Sequence, residues 1–175
     1  MTIEEQQKPV YPAKKNDKKL ERIHVAGNPS TPVETLVELS RDGEEWVRRY
    51  VARNPSTPVE TLVELSNAAT WLVRKEVAGN PSTPIETLVE LSRGDDEWVR
   101  EEVAKNPNTP VETLVELSRD EYWDVRKEVA GNPNTPVETL VELSRDDERG
   151  EVRYFASKYI ESKLYQYLQS HEIDL

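Results

Sequence analysis

Four kinds of side chain recur along this chain at a spacing that could do chemistry. Arg48, Arg74, Arg100 and Arg126 stand 26 residues apart, with Arg22 ahead of them and Arg153 in a displaced last copy. A row of guanidinium groups at fixed spacing is suited to holding phosphates. Trp46, Trp71, Trp98 and Trp123 could form an aromatic row for a peptide, a sugar or unstacked bases. Glu38, Glu64, Glu90, Glu116 and Glu142 could form a column of carboxylates facing a cationic partner. Asn28, Asn54, Asn80, Asn106 and Asn132 could grip a repetitive polymer.

Each set also has a structural reading. The arginines can pair with acids of the same or next unit, such as Glu34, Glu38 or Asp42, and 34 acidic against 23 basic residues favours that pairing. Tryptophan can fill grooves between units in a chain with a single Phe. The glutamates can be a solvated face. Each Asn precedes Pro, a turn signal, and can satisfy backbone groups at a helix end.

Reaction chemistry has little to build on. A catalytic site needs unlike residues converging in a pocket, whereas here the polar residues are copied from unit to unit. The two histidines, His24 and His171, lie near opposite ends, and the absence of cysteine removes thiolate, disulfide and iron–sulfur chemistry. Ser40, Ser66, Ser92, Ser118 and Ser144 read as helix ends, not nucleophiles. We therefore expect no enzyme activity, no catalytic residues, no cofactor and no metal. The formal charge of −11 opposes sequence-independent binding to nucleic acid or anionic membrane. No apolar run approaches the ~18 residues of a membrane span and nothing reads as a signal peptide, so a soluble, cytoplasmic monomer is expected.

The elements that must position these residues follow from one motif, Val-Ala-x-Asn-Pro-x-Thr-Pro-x-Glu-Thr-Leu-Val-Glu-Leu-Ser. Its five copies start at Val25, Val51, Val77, Val103 and Val129. A fixed period of this size means stacked small units. Thr31, Pro32 and Glu34 form a helix-start signal: Thr as N-cap, Pro at N1 and Glu at N3 bonding back. The predicted first helix runs from Pro32 to Ser40, burying Val33, Leu36, Val37 and Leu39. A second, shorter element carries Trp46, Val47, Tyr50 and Val51 on one face, ends at Asn54-Pro55, and is short enough to be partly 3₁₀. Odd and even copies alternate in Trp position and in Gly27, Arg53, Gly79, Lys105 and Gly131, so a 52-residue pair reads as the duplicated unit. Residues 1–19 read as a flexible polar arm, 20–154 as the stack, and 155–175 as a capping helix and tail. In that last region Val152, Phe155, Ala156, Tyr159, Ile160, Leu164, Tyr167 and Leu168 trace one helical face.

The string Val47-Arg48, Val51-Ala52, Asn54-Pro55, Thr57-Pro58, Glu60, Leu62 and Leu65 resembles the leucine-rich repeat variant family, and it recurs across 25–154. The resemblance implies a right-handed superhelix of alternating α and 3₁₀ helices without β-sheet. The unit here is longer than usual, with the extra length in the turn around Asp42 to Glu45. The expectation is an all-α solenoid of five 26-residue helix–turn–short-helix units with a C-terminal capping helix. As a function we expect a scaffold that binds a protein or peptide through its Trp-bearing turns and acidic helix faces. The alternative is nucleic-acid binding along Arg48, Arg74, Arg100 and Arg126. An acidic surface favours the scaffold, and a neutral or basic concave face favours the alternative.

Overall fold

A computed structural model describes residues 15–170. The expected arm over 1–14 and the segment 171–175 with His171 lie outside the described residues. Helix α1 (Lys15–Gly27) starts five residues ahead of the expected Leu20. Five units follow, each giving two helices. The first helices are α2 (Val33–Leu39), α4 (Val59–Ser66), α6 (Ile85–Leu91), α8 (Val111–Leu117) and α10 (Val137–Asp146). The second helices are α3 (Glu45–Arg53), α5 (Trp71–Gly79), α7 (Glu97–Lys105) and α9 (Trp123–Gly131), and α11 (Gly150–Ser170) closes the chain.

The second helices stack on one another from α1 through α3, α5, α7 and α9 to α11, while each first helix packs against the helices before and after it in the chain. One apolar cluster runs unbroken from Ala26 to Ala156. The first four units each contribute to it a Leu such as Leu62 and a Val-x-x-x-Val-Ala set such as Val73, Val77 and Ala78, and the fifth contributes Leu140, Val152 and Ala156. This continuous seam is what stacked units must share, because none can bury its stripe alone.

Three local expectations are corrected. The second elements are α-helices of nine residues, longer than the seven-residue α2, α6 and α8. Tighter i→i−3 bonds appear at their ends, as from Val47 N to Glu44 O and from Asn54 N to Val51 O. The capping box does not form. Pro32 is itself the N-cap, with extended ψ of 144° and its carbonyl accepting from Leu36 N. The Thr31 hydroxyl instead donates backwards to Val25 O at 2.5 Å, and Thr57, Thr83, Thr109 and Thr135 repeat the bond to Val51, Val77, Val103 and Val129. Threonine thus closes the turn between units and leaves Glu34 to the helix dipole alone. Finally, the buried faces are narrower than predicted. Leu36, Val47 and Val51 are fully buried, but Val33, Trp46 and Tyr50 are exposed.

The Asn ladder is structural. Each of Asn54, Asn80, Asn106 and Asn132 is 2% exposed. Asn80 Nδ2 donates to Ala52 O (2.7 Å) and Asn54 O (3.0 Å) of the preceding unit, and its Oδ1 accepts from Ser82 N at 2.9 Å. At the last unit Lys163 of α11 takes over, donating to Pro133 O and Thr135 O, both at 2.9 Å. Helix α11 buries Val152 and Ala156 and rests Phe155, Tyr159 and Ile160 on the core. Leu164 and Tyr167 are exposed, because 21 residues of helix overhang a stack edge of nine.

Candidate functional site

The arginine ladder is built by a relay between loops. Arg48 Nη1 donates to Asp42 O at 2.6 Å, Arg100 Nη1 to Gly94 O at 2.8 Å and Arg126 Nη1 to Asp120 O at 2.8 Å; Arg74 Nη1 bonds Ala68 O in the same way. This pins one edge of each guanidinium to the loop of its own unit. In Arg22, Arg74, Arg100 and Arg126 the other edge reaches the loop of the next unit. Arg22 Nε meets Asp42 (2.6 Å), Arg100 Nε and Nη2 meet Asp120 (2.6 and 3.1 Å), and Arg126 Nε and Nη2 meet Asp147 (2.5 and 3.2 Å). Arg74 Nη2 reaches Asp96 at 2.5 Å. A loop aspartate can therefore serve two arginines, one through its carbonyl and one through its carboxylate. The partners are these loop aspartates; of the acids named from sequence only Asp42 takes part, and Glu34 and Glu38 do not. Hydrogen bonds donated to Asp120 and Asp147 outweigh burial and raise the pKa of Arg100 and Arg126. Burial alone would raise the Asp147 pKa, but the bonds from Arg126 and the Arg149 amide prevail and lower it.

The glutamate column shares this side of the molecule. Glu90 and Arg74 line one inter-unit cleft of about 310 Å³, Glu116 and Arg100 a second of about 590 Å³, and Glu142 and Arg126 a third of about 520 Å³. Each cleft carries a formal charge of −2: one cation against Glu90, Asp95 and Asp96; two against Asp95, Glu116, Asp120 and Glu121; two against Asp120, Glu142, Asp147 and Glu148. All five column glutamates are exposed. Among the described residues only Glu64 is ion-paired, to Arg41 at 3.6 Å. Sequence reasoning missed a second recurrent feature beside them, at the first position of each first helix. Val33, Val59, Ile85, Val111 and Val137 are all between 42% and 52% exposed.

The tryptophans do not join these clefts, and none lines any of the three. Trp71 and Trp123 open their helices and lean on the core, whereas Trp46 and Trp98 come second and are 47% and 44% exposed. A one-residue shift turns a helical side chain by about 100°. The rings of Trp71 and Trp98 meet at 4.7 Å between centroids. Trp46 stands under the Arg49 guanidinium at 4.6 Å, and Trp123 lies 5.6 Å from the Lys127 ammonium. Trp46 also lines an apolar hollow with Leu20, Ile23, His24 and Tyr50. Among the described residues no group of His, Asp or Glu is placed to hold a metal ion, and no helix is long and apolar enough to cross a membrane.

Eleven helices in a stacked repeat, with no strand among the described residues, define a helical-repeat protein. Three stretches of the chain, residues 45–69, 97–121 and 123–148, match the model of the leucine rich repeat variant family. It is similar to a solved structure described as a leucine-rich repeat variant with a novel repetitive protein structural motif, at 25% identity over 79% of this chain, with a TM-score of 0.40. The chain spans 65% of that protein's length. It is also similar in fold to an engineered protein, at 23% identity over 83% of this chain and 90% of the other, with a TM-score of 0.55. No curated protein matches the chain.

Proposed function

We propose that this protein is a non-catalytic scaffold that holds a protein or peptide partner along its layer of first helices. The observation that carries this reading is the five-fold recurrence there of an exposed Val or Ile with exposed glutamates, from Val33, Glu34 and Glu38 to Val137, Glu138 and Glu142. The apolar side chains offer area to bury, and the carboxylates offer charge complementarity. The matching partner is a polypeptide with apolar side chains and intervening lysines or arginines. Clefts of charge −2 oppose a phosphodiester backbone, which needs cations in excess. The half-exposed Trp46 and Trp98 offer a further contact on the second helices.

The test is crosslinking mass spectrometry on partners captured by the full chain. Wild type is compared with Glu90→Lys/Glu116→Lys/Glu142→Lys and with Val59→Asp/Ile85→Asp/Val111→Asp, each first shown to stay folded. Crosslinks on the first helices and loss of the partner from both variants are expected. A partner retained equally by all three proteins overturns the reading. A parallel Trp46, Trp71, Trp98, Trp123→Ala variant isolates the aromatic contribution. Labelled RNA or DNA that binds at low salt and is released steeply by added salt would point instead to the arginine ladder.

A further inference from the structure

Among the described residues, Arg48 has no carboxylate although a further loop follows it, unlike Arg153 at the end of the ladder. Arg22, Arg100 and Arg126 present the Nε/Nη2 edge to an aspartate, and Arg74 presents Nη2 to Asp96. The loop facing Arg48 reads Ser66-Asn67-Ala68-Ala69-Thr70, without an acid. Ala68 stands where Asp42 and Asp120 stand in their units. Its carbonyl still pins Arg74, as theirs pin Arg48 and Arg126. Only the carboxylate is missing.

The other donors that such a carboxylate serves are also left over. Asp42, Asp120 and Asp147 each accept, through Oδ1, the amide two residues on: Glu44, Tyr122 and Arg149, at 2.8 to 2.9 Å. The equivalent Thr70 amide has no acceptor among the described residues, and the Thr70 hydroxyl is buried without a partner. Tyr122, the counterpart of Thr70 two units on, lies with its ring 5.6 Å from the Arg100 guanidinium, which places position 70 beside Arg48 by the repeat. The local charge is reversed as well. The charged repeat equivalents of the cleft-lining residues around Arg48 are Arg41, Arg48 and Glu64, with Ala68, Ala69 and Thr70 at the other positions, so two cations face one acid and the net charge is +1 against −2 in the other clefts.

We propose that Arg48 and Thr70 form a carboxylate-binding site, in which a ligand's carboxylate takes the place that an aspartate fills in neighbouring units. The guanidinium is already held at Nη1 by Asp42 O, so its Nε/Nη2 edge is set for a planar, two-oxygen acceptor. Recognition at this point does not depend on the partner-binding reading above. The carboxylate comes from a free organic acid or from an aspartate or glutamate of a peptide.

The test is NMR of the ¹⁵N-labelled full chain at constant ionic strength, following the Arg side-chain Nε–H signals and the Thr70 amide. Sodium acetate, a blocked tripeptide with one Asp, and inorganic phosphate are titrated separately. Saturable shifts at Arg48 Nε–H and Thr70 N–H, with Arg100 and Arg126 unmoved because their aspartates already occupy them, are expected for acetate or the Asp peptide. A response to acetate as strong as to the peptide assigns a free acid; a clear preference for the peptide assigns a side chain. Ala68→Asp should abolish the response and bring the Arg48 Nε–H signal toward those of Arg100 and Arg126, and Arg48→Gln should abolish the Thr70 response without adding an acid. Three results would overturn the proposal: no saturable shift with either carboxylate, response to phosphate alone, or a Thr70 response that survives in both variants.

Discussion

Replacing Asn80 by alanine should remove about 3 kcal/mol of stability, and replacing Asn28 should remove under about 0.5 kcal/mol. The two residues occupy the same motif position and differ only in what stands before them. Asn80 spans two buried carbonyls of the preceding unit and accepts one partly buried amide. Truncation strands all three. Each fully buried carbonyl contributes roughly 1 kcal/mol or a little more, and the amide, which water can partly reach, contributes less. Asn28 lies at the head of the ladder, and its side chain is seen only accepting from the exposed Ser30 amide at 2.9 Å. Asn80→Asp is a sharper test still: it keeps the Ser82 bond but turns a carboxylate oxygen toward two carbonyls, so it should destabilise more than alanine does. The assay is urea unfolding followed by far-ultraviolet circular dichroism and by tryptophan fluorescence, whose curves should coincide if the stack melts as one body. Equal losses at Asn28 and Asn80, or an aspartate milder than the alanine, would refute the ladder as the element that fixes unit spacing.

Two further outcomes follow from the same geometry. Asp147→Asn should lose about 3 kcal/mol at neutral pH, since it leaves Arg126 beside a neutral amide in a pair whose side chains are 2% and 11% exposed. The Asp147 pKa is lowered in the folded chain, so its contribution is complete above the unfolded value near ~4 and disappears as pH falls through the folded value; unfolding titrations across acid pH should show a shallower acid limb in the variant. Gly131→Ala should raise stability by about 0.5 kcal/mol, because a Cβ there meets nothing closer than 3.8 Å, whereas Gly27→Ala should gain nothing, because its Cβ would sit 2.9 Å from Tyr50 Cδ1; paired thermal melts compare them.

The period of 26 was enough to read a stack, because repetition at that length leaves each unit only its neighbours to bury against. The details that failed share a cause. Thr31 looked like a cap because Thr-Pro-x-Glu fits one locally, but the chain doubles back so tightly that Val25 O comes within reach first. Val33 fits the helical period of the buried face, yet α2 has only about two turns, and its start at an extended proline leaves the first position outside. The arginine partners were hidden by abundance: with so many acids nearby, helical glutamates looked as suitable as loop aspartates. Aligning the loops at a 20-residue offset from Arg22, Arg48, Arg74 and Arg100 gives Asp42, Ala68, Gly94 and Asp120; Gly94 is followed by Asp95 and Asp96, so the loop without an acid, Ala68-Ala69-Thr70, is visible in the sequence itself.

The polar residues most faithfully copied are also those most completely used by the fold. Asparagine joins carbonyls of adjacent units, threonine closes the inter-unit turn, and each paired arginine is held on both edges. A side chain with every donor satisfied inside the chain has little left to offer a ligand. Binding must therefore draw on what the stack leaves over: the exposed Val/Ile and Glu positions that every unit shares, and the places where one unit departs from the rest. Those two kinds of remainder do different work. A feature repeated five times offers length and avidity but cannot fix where along it a partner stops. A feature present once, such as the Arg48 edge facing Ala68, can supply that register, because a ligand shifted by one unit would meet an arginine already closed by an aspartate or a cleft of the opposite charge.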